Sequence, residues 1–409
     1  MGKDERGRQI RLAVVFDQEV LAGGGYQQAL NAALILKKLP DDLVSLSFIS
    51  TAPGGVKTLA ANGIDAKFVR LGLFHRVFNL LARQIRRLGG GGCVSTFERR
   101  LLRERIDLVY FLSPSPLARD LHRLNYLWSV WDFCHREDLE FPEVRCGQFQ
   151  SREAIYHDAL LRAAAVFVES PYGKECAARW YGVDSRRIHI LPFEPAIAVR
   201  NHAGSGANSA DVNQRYGLSV PYVFYPAQFW PHKNHVYILE GLAELEKRHG
   251  IVVGAIFSGG NKGNLDHVIQ CATRLGVAER IRIAGFVNGE DLAALYQGAI
   301  ALVMPTYFGP TNLPPLEAFS LGVPVIYPDK DGLRDQVGDA ALLIDLDDPA
   351  SLAEHLASLV GKDGLRQELV VKGRARLHAT NQVDRADVIG KVLRNFWRRR
   401  SAWGADFRH

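Results

Sequence analysis

The sequence predicts an α/β protein with two Rossmann-like domains that face each other across a cleft. The first observation is that short buried strands, polar or glycine-rich turns and helices alternate along the chain, which is typical of parallel sheets covered by helices. The second is a polar stretch, VRNHAGSGANSADVN at residues 199–213, that interrupts this pattern and is typical of a linker. We therefore expect a first domain at 1–198, a second domain at 214–384 and a further helical segment at 385–409.

The composition is that of a globular protein with a basic balance. The chain has 409 residues, of which 47% are hydrophobic and 23% charged, so it can bury a large core. Its net charge of +6 suits contact with an anionic membrane surface. No recognition motif accompanies the charge, so a nucleic-acid partner is not expected.

Targeting and membrane-spanning signals are not visible in the sequence. Residues 1–10 are charged, and no apolar run approaches the roughly 18 residues of a membrane span. The five cysteines show neither a C-x-x-C pair nor a zinc spacing. We therefore expect a reduced, cytoplasmic location, with a peripheral place on the inner face of the membrane as the second option.

A glycine-rich turn comes after the first predicted strand, Arg11 to Asp17. Gly23, Gly24 and Gly25 then lead into a helix. Backbone amides at the carboxyl end of a strand can hold a ligand, so Gly24 and Gly25 are candidate contacts. The three glycines do not match the G-x-G-x-x-G spacing, and a turn that needs glycine for its geometry alone is the alternative.

Residues 74–88 combine apolar side chains at helical spacing with arginines largely on the other faces. This pattern predicts a basic amphipathic helix, which can lie in an anionic membrane surface. A core-facing helix with a solvated arginine face explains the pattern equally well. The sequence leaves the two interpretations open.

Two polar side chains mark the end of the strand predicted near Val130. Asp132 and His135 lie where parallel sheets place functional groups, so both are candidate catalytic residues. A capping or loop-stabilising role explains His135 nearly as well. Further along, Ser170 ends another strand and is predicted to cap the next helix.

The second domain places polar turns after successive strands. Lys233 precedes a helix predicted to begin near Asn234, so a phosphate there would meet backbone amides and an ammonium together. Each charge-assisted hydrogen bond of this kind contributes about 1.5 to 3 kcal/mol. Gly259 and Gly260 end the next strand in a turn that permits close backbone approach. A solvated surface lysine is the alternative for Lys233.

Two later turns have less specific sequences. Asn288 is a predicted helix cap. Asp345, Asp347 and Asp348 contain a D-x-D pattern, which can bind a metal, but Pro349 and a predicted helix come directly after it. Helix capping is therefore the favoured interpretation, and we expect neither a metal nor another cofactor.

The most informative stretch is ALVMPTYFGPTNLPPLEAFSLGVPVI at residues 301–326. It predicts a buried strand, a tight loop, a helix that begins near Leu313 and ends at Gly322, and a second strand. Pro314 and Pro315 fit the first turn of that helix, where an amide would have no partner. The amides of Thr311, Asn312 and Leu313 then offer a phosphate site at the positive end of the helix dipole.

Glu317 lies about one turn into the same helix. A carboxylate repels a phosphate, so its natural partners are the hydroxyls of a ribose or of another sugar. A phosphate site beside a hydroxyl-binding carboxylate predicts a nucleotide-sugar site. An ordinary strand-turn-helix without a ligand is the alternative.

This segment resembles the signature of the GT-B glycosyltransferases of family 4, the retaining group 1 transferases. That signature has two glutamates separated by seven residues, and then the pattern A-x-x-x-G-x-P-V. Glu317 matches the second glutamate, and Ala318, Gly322 and the Pro-Val pair match the rest of the pattern. Gly309 stands in place of the first glutamate, as in an FGPTNLPP branch in which backbone amides and short side chains occupy the loop.

The resemblance implies roles for several residues around the donor diphosphate. Lys233 matches a lysine that grips the diphosphate, while Gln228 takes the place of an arginine. One cation is therefore missing from the family pattern, and His232 or His235 are the candidates to replace it. The nucleotide base is expected against the backbone of Phe286 and Val287.

The resemblance also assigns the first domain. Asp132 matches the aspartate of a His-Asp pair near the donor sugar, Trp131 stands at the histidine position, and His135 is the candidate to compensate. The loop at Gly24 and Gly25 is expected to face the cleft. The GT-B architecture further implies that the C-terminal helix at 385–409 packs back on the N-terminal domain.

The expected function is a metal-independent, retaining transfer of a hexosyl unit, with mannosyl as one candidate. The donor would be a GDP- or UDP-sugar, and the acceptor a hydroxyl of a glycan or lipid-linked molecule in the assembly of surface polysaccharide or glycoconjugate. Two alternatives remain open: a sugar-nucleotide epimerase of the same fold, and a sugar-nucleotide binding protein without catalysis. The absent glutamate at 309 and the absent arginine at 228 favour the binding protein.

Overall fold

The computed structural model describes residues 9–18, 23–72, 94–202, 215–287 and 289–403. The chain divides into two compact units, each with its own parallel sheet and helices. The first unit comprises Met1–Trp131, Gln150–Pro192 and Val383–His409, and the second comprises Asp132–Phe149 and Phe193–Gln382. The predicted α/β class with two parallel sheets is confirmed.

The strands alternate with helices along the chain, as the sequence pattern predicted. The strands of the described residues are β1 (Ile10–Phe16), β2 (Val44–Ser50), β3 (Ala66–Phe68), β4 (Leu108–Phe111), β5 (Asn125–Ser129), β6 (Ala165–Val168), β7 (Ile188–Ile190), β8 (Tyr222–Pro226), β9 (Gly254–Ser258), β10 (Ile281–Gly285), β11 (Leu302–Val303), β12 (Val325–Pro328) and β13 (Ala341–Ile344). The α-helices of the same residues are α1 (Gly24–Leu36), α2 (Gly55–Ala61), α3 (Thr96–Arg103), α4 (Pro142–Arg145), α5 (Gln148–Arg162), α6 (Pro171–Tyr181), α7 (Ile197–His202), α8 (His235–His249), α9 (Leu265–Arg274), α10 (Gly289–Gln297), α11 (Leu313–Leu321), α12 (Leu333–Val337), α13 (Pro349–Gly361), α14 (Asp363–Asn381) and α15 (Arg385–Arg400).

The first unit is built on a seven-stranded parallel sheet with the strand order β3-β2-β1-β4-β5-β6-β7. β1 lies between β2 and β4, with Ile10 opposite Val44 of β2 and Leu12 opposite Leu108 of β4. The side chains of β1 from Leu12 to Val15 have no exposed surface. A continuous apolar sequence is what a parallel strand covered on both faces requires.

The second unit is built on a six-stranded parallel sheet with the strand order β10-β9-β8-β11-β12-β13. Tyr222 of β8 lies opposite Gly254 of β9, and Phe224 lies opposite Leu302 of β11. Because all these strands are parallel, their carboxyl ends lie at one edge of the sheet. The turns at this edge contain most of the candidate site residues.

Helix caps agree closely with the sequence pattern. Ser170 Oγ accepts a hydrogen bond from the Gly173 amide at 3.0 Å, and the Asp348 carboxylate accepts one from the Ala350 amide at 3.0 Å. Gly322 ends α11 with a φ of 71°, a left-handed conformation that glycine adopts without strain. The predicted caps at these three positions are confirmed, while Asn288 lies outside the described residues.

The predicted domain limits need two corrections. Residues 199–202, expected to begin the linker, form the end of α7, and the rest of the predicted linker, 203–213, lies outside the described residues. Residues 132–149, expected in the first domain, belong to the second unit. The cause is long-range pairing of their side chains, which a local sequence pattern does not show.

The last helix, α15, is part of the first unit. It packs on α1, and the Arg385 guanidinium donates a hydrogen bond to the Pro192 carbonyl at 2.8 Å. The predicted amphipathic segment at 74–88 lies outside the described residues. No helix in the described part of the chain combines the length and the apolar character needed to cross a bilayer.

Candidate functional site

The helix predicted at the most informative stretch is present as α11. Asn312 precedes it with an extended backbone (φ −122°, ψ 151°), and Pro314 and Pro315 occupy its first turn. A proline there removes an amide that has no partner within the helix. The positive end of the helix dipole is therefore directed at the loop that comes after β11, as the phosphate site requires.

A hydrogen-bond network corrects the expectation that the Asn312 amide is free for a ligand. This amide donates to Gln336 Oε1 at 2.9 Å, and Gln336 Nε2 donates to the Asn312 carbonyl at 2.6 Å. Tyr327 joins the network, because its hydroxyl accepts from Asn312 Nδ2 at 2.7 Å and donates to Gln336 Oε1 at 3.0 Å. The backbone of Asn312 thus positions the loop, and Thr311 and Leu313 remain the predicted amide donors.

Gly309 adopts a backbone that few other residues tolerate. Its φ is 97°, and an added Cβ would lie 3.0 Å from the Asn312 side-chain nitrogen. The Gly309 amide donates to Cys134 Sγ at 3.0 Å. A glutamate would be strained in this backbone conformation, which is consistent with the glycine that stands in place of the signature's first glutamate.

Lys233 lies at the end of the short 3-10 turn Pro231–Lys233, between β8 and α8. Its ammonium donates to Thr306 Oγ1 at 3.4 Å, so it lies beside the loop after β11. Burial lowers the pKa of Lys233 to about 8, against the opposing effect of Cys134, Asp132 and Glu143. Because this pKa lies above 7, the lysine is mostly charged at neutral pH.

Two histidines, His232 and His235, lie near Lys233 in the sequence. Burial lowers the pKa of His232 to about 4 and that of His235 to about 3, so both imidazoles are neutral at neutral pH. His235 is fully buried, and its ring stacks on Phe229 with centroids 4.4 Å apart. His235 is therefore a core residue and cannot take the arginine's place, while a partial replacement of the arginine by His232 stays a prediction.

Gln228 lies in the same turn as Lys233, and its Oε1 accepts a hydrogen bond from Trp230 Nε1 at 3.1 Å. The sequence reasoning missed Lys262, which comes after β9 and whose ammonium lies 5.8 Å from the centroid of the Trp230 ring. Lys262 is exposed and could supply positive charge near Gln228. Its position three residues after a strand-end glycine was a signal that the sequence offered.

The two glycines after β9 have different surroundings. A Cβ on Gly259 would lie 2.4 Å from the Ala227 carbonyl oxygen, so this glycine allows two turns of the protein to pack closely. A Cβ on Gly260 would have no neighbour within 4 Å among the described residues. Gly260 therefore leaves open space at the site edge, whereas the absence of a side chain at Gly259 is explained by packing alone.

Phe286 and Val287 come after β10 at the same edge of the sheet. The Phe286 side chain is 76% exposed, an unusual state for a large aromatic ring. Val287 is partly buried against the core of the unit. Their predicted contact with the nucleotide base stays a prediction.

Glu317 is buried in α11 with 5% of its surface exposed. Its Oε2 accepts a hydrogen bond from the Tyr296 hydroxyl at 2.8 Å. Burial raises the pKa of Glu317, while hydrogen bonds from Tyr296 and from the Ala196 amide act in the opposite direction. The carboxylate is thus held rigidly, and its predicted contact with sugar hydroxyls stays a prediction.

The structure separates the two catalytic candidates after β5. The Asp132 carboxylate accepts a hydrogen bond from the Cys134 amide at 3.1 Å and is close enough to raise the pKa of Lys233. His135 has no exposed surface, and its ring packs near Phe149. A fully buried imidazole cannot contact a ligand, so the predicted catalytic role of His135 is corrected to a packing role.

The segment at residues 132–149 is held to the rest of the second unit by charged side chains that the sequence reasoning did not use. Glu143 accepts hydrogen bonds from the backbone amide of His232, at 3.1 Å, and from its Nδ1. Burial alone would raise the pKa of Glu143, but the hydrogen bonds from His232 outweigh it and lower this pKa. Lys330 donates to both oxygens of Asp138 at 2.7 Å.

In the first unit, Gly24 begins α1 and Gly25 contacts Trp131. A Cβ on Gly25 would lie 2.8 Å from Trp131 Cζ3, so packing against this ring explains the absence of a side chain at residue 25. The ligand contacts predicted for Gly24 and Gly25 stay a prediction.

The edge of the second sheet can therefore hold an anion. Lys233 and Lys262 supply positive charge, α11 directs its dipole to the same edge, and Gly260 leaves space beside them. In addition, the Thr306 hydroxyl accepts from Lys233 and from the Phe308 amide at 3.2 Å, which fixes the loop after β11. This arrangement favours a phosphorylated ligand.

Comparison with known proteins finds similarity to glycosyltransferases. Residues 214–376 match the family model of glycosyl transferases group 1. The O-antigen chain mannosyltransferase B of Escherichia coli is 29% identical over 299 residues, which cover 66% of this chain and 78% of that protein. The D-inositol 3-phosphate glycosyltransferase of Salinispora arenicola is 32% identical over 216 residues, which cover 49% of this chain and 47% of that protein.

Solved structures share the fold over nearly the whole chain. HepE of Anabaena, solved in complex with UDP and glucose, has a TM-score of 0.68 and 15% identity, and the match covers 97% of this chain and 100% of that chain. WaaG, a glycosyltransferase involved in lipopolysaccharide biosynthesis, has a TM-score of 0.66 and 16% identity. The match covers 94% of this chain and 98% of that chain. Residues 214–376 thus match the model of glycosyl transferases group 1, and the chain has the GT-B fold of solved glycosyltransferases.

Proposed function

We propose that the protein is a retaining hexosyltransferase that uses a nucleoside-diphosphate sugar as donor. The observation that carries this proposal is the convergence of Lys233 and the start of α11 at one edge of the second sheet. The group 1 family match over residues 214–376 supports the same reaction class. Sugar transfer from such a donor leaves negative charge on the diphosphate, and this edge presents positive charge to it.

The chain's own residues would act mainly by electrostatic stabilisation. When the bond between the sugar and the phosphate breaks, charge accumulates on the diphosphate, and Lys233 with the amides of Thr311 and Leu313 would stabilise it. Loss of one such donor typically costs about 2.7 to 4 kcal/mol of activation free energy. The resemblance to retaining transferases implies that the departing phosphate helps to deprotonate the acceptor, with Asp132 as a lesser candidate for that role.

Other residues would orient the donor. Glu317 is held rigidly by Tyr296 and would accept hydrogen bonds from the ribose hydroxyls. Phe286 and Val287 would contact the base, and Gly260 would let the diphosphate approach the backbone. The roles assigned here need no metal or further cofactor, and metal independence stays a prediction.

For the substrates, we favour a hexosyl donor with a GDP or UDP carrier and a glycan or lipid-linked acceptor. The similarity to an O-antigen chain mannosyltransferase supports a mannosyl unit and a role in surface polysaccharide assembly. The solved complex of HepE with UDP and glucose supports a UDP-sugar instead. We also propose a cytoplasmic location with peripheral binding to the inner face of the membrane, and the net charge of +6 supports the membrane contact.

The test is to incubate the purified protein with GDP-mannose or UDP-glucose, with and without methyl glycosides as acceptors, and to analyse the products by NMR. We expect a new glycoside whose anomeric configuration equals that of the donor. An isomerised sugar nucleotide without acceptor would establish an epimerase. Donor binding without transfer or hydrolysis would establish a binding protein, and an inverted product would refute retention.

A further inference from the structure

The turn that carries Lys233 is held by a carboxylate from a distant part of the sequence. Glu143 lies in the short helix α4, and its Oε1 accepts hydrogen bonds from the His232 backbone amide, at 3.1 Å, and from His232 Nδ1. The Glu143 side chain is 5% exposed and the His232 side chain 12%. Because His232 and Lys233 are consecutive in the 3-10 turn Pro231–Lys233, these bonds fix the backbone directly before the lysine.

The protonation states of this pair follow from their pKa values. Burial lowers the pKa of His232 to about 4, so its imidazole is neutral at neutral pH. Burial would raise the pKa of Glu143, but the hydrogen bonds from His232 outweigh it and lower this pKa, so the carboxylate is ionised. A neutral imidazole carries one proton, and Nδ1 must carry it here because an ionised carboxylate can only accept. Both bonds therefore go to a charged oxygen, which strengthens them.

The His232 residue also connects the turn to the loop after β11. Its ring stacks on Phe308, with ring centroids 4.1 Å apart and an angle of 8° between the planes. Its carbonyl accepts a hydrogen bond from the Tyr307 amide at 2.9 Å. The same loop contains Thr306, whose hydroxyl accepts from the Lys233 ammonium. His232 therefore fixes the turn of Lys233 against this loop.

A second ion pair holds the same segment, residues 132–149, without bonding to the Lys233 turn. Lys330 donates to both oxygens of Asp138 at 2.7 Å and to the Tyr307 carbonyl at 2.9 Å. Both Asp138 and Glu143 lie in the segment 132–149, which belongs to the second unit. Among the described residues, the Asp138 carboxylate bonds to Lys330 and not to the turn. Asp138 thus offers a comparison for the anchoring of this segment alone.

Several groups that titrate or carry charge surround Lys233. They are Asp132, Cys134 and Glu143 from the segment 132–149, His232 and His235 from the turn and from α8, and Tyr225 from β8, whose hydroxyl donates to the Lys233 carbonyl at 3.1 Å. Burial lowers the pKa of Lys233, and Cys134, Asp132 and Glu143 oppose that effect. The Glu143 carboxylate thus acts on Lys233 in two ways, through the position of the turn and through its own charge.

We propose that Glu143 is a positioning residue for sugar transfer, which holds Lys233 through His232 at the place where the donor diphosphate binds. In this assignment Glu143 acts on the donor only through His232 and Lys233. The inference rests on the proposed function and adds to it a residue that controls the diphosphate site. The alternative is that Glu143 only anchors the segment 132–149, as Asp138 does.

The experiment compares Glu143→Gln with Asp138→Asn in the full-length protein. Each substitution removes one carboxylate charge and nearly preserves the shape of the side chain. Binding of UDP and of GDP is measured by isothermal titration calorimetry from about pH 7 to about pH 10, a range that includes the pKa of Lys233. Transfer is measured as kcat and KM for the donor, and stability as the melting temperature.

We expect Glu143→Gln to weaken nucleotide binding and to move the alkaline loss of binding to a lower pH. The reason is that a negative charge that favours the Lys233 ammonium is removed. The kcat should fall by about tenfold with a smaller rise in the donor KM, since a displaced charge acts mainly on the transition state. Asp138→Asn should lower the melting temperature, and its binding should be lost at the same pH as in the unchanged protein.

Two further variants test whether the effect passes through Lys233. In Lys233→Arg the guanidinium keeps its charge over this range, so the additional change Glu143→Gln should cause no shift with pH. Glu143→Asp keeps the carboxylate on a shorter side chain, so kcat should fall while the pH of lost binding stays the same. This variant tests the position of the turn if Glu143→Gln folds poorly.

Three results would overturn the proposal. They are loss of binding at the same pH in Glu143→Gln as in the unchanged protein, equal effects of Asp138→Asn and Glu143→Gln on binding and kcat, and a pH shift by Glu143→Gln that persists in Lys233→Arg. If both nucleotides bind with the expected pH dependence but no donor is transferred or hydrolysed, the proposed function fails while the role of Glu143 stands. If transfer occurs and Glu143→Gln behaves as Asp138→Asn does, the role of Glu143 fails alone.

Discussion

Lys233 combines a charge with a partly buried position at the edge of the second sheet. Burial lowers its pKa to about 8 from an ordinary value of 10.5, because an ammonium loses hydration there. An unpaired ammonium in such a position lowers the free energy of unfolding, and an anion that binds beside it compensates for the lost hydration. Perturbed pKa values of this kind are typical of functional sites.

The first prediction concerns Lys233→Met. We expect kcat/KM for the donor to fall by about a hundredfold or more, since one electrostatic donor is lost, while the melting temperature stays equal or rises because a partly buried charge is removed. Lys247→Met is the matched control, because that side chain is 74% exposed on α8. Turnover and thermal denaturation measure both effects, and near-normal turnover in Lys233→Met would remove Lys233 from the mechanism.

The second prediction is a pH dependence. Because the folded pKa of Lys233 is about 8, the ammonium loses its proton as the pH rises through that value, and kcat/KM for the donor should fall above it. Between the folded and unfolded pKa values the unfolded chain binds more protons, so this group makes the free energy of unfolding rise with pH there. Lys233→Arg keeps its charge, and its profile should stay flat over this range. An unchanged profile in the original protein would contradict the assignment.

At the scale of elements, the start of α11 depends on a neighbouring helix. Gln336 of α12 pairs with both backbone groups of Asn312, and the Arg376 guanidinium of α14 donates to the Gln336 carbonyl at 3.0 Å. These bonds connect α14, through the five-residue α12, to the loop that precedes α11. The position of the anion site thus depends on α12, which contributes no charge to the site.

The third prediction is that Gln336→Leu loosens this loop. Two backbone groups of Asn312 lose their partners, at a cost of about 1 to 3 kcal/mol for each buried group left unsatisfied. We expect a lower melting temperature and a higher KM for the donor, with a smaller change in kcat. Gln382→Leu, at the exposed end of α14, serves as the control. A donor KM equal to that of the control would show that the network is structural only.

At the scale of the whole molecule, the chain has two units with separate sheets, and the proposed donor groups all belong to the second. Lys233, Lys262, Gly260 and Glu317 lie within Phe193–Gln382. A ligand that binds only the folded state stabilises it by mass action, by about 2.7 kcal/mol at a hundred times its Kd. That stabilisation should be greatest where the ligand's contacts lie.

The fourth prediction comes from this division. Addition of UDP or GDP should slow hydrogen exchange in the turns after β8, β9 and β11, with little change in the strands of the first sheet. ADP serves as a comparison for the base, and inorganic phosphate for the diphosphate. Protection confined to the first unit would place the nucleotide elsewhere and would refute the donor site.

Local rules predicted much of this site. The limits of α11 follow from Pro314, Pro315 and Gly322, because each of these residues fixes or frees its own backbone dihedral angles. Lys233 was found in the same way, since it precedes a helix after a buried strand. The alternation of strands, turns and helices likewise predicted both parallel sheets.

Residues far apart in the chain decided the rest. Gln336 binds Asn312 from 24 positions away, and Cys134 accepts from the Gly309 amide across 175 positions, so no short sequence window contains either pair. The burial of His135 and His235, which removes both from any ligand, also depends on what packs over them. The sequence by itself determined the elements and the charges at their ends, because propensities and caps act locally. Only the tertiary structure decided which of those groups meet and which are buried, because hydrogen bonding and desolvation depend on neighbours in space.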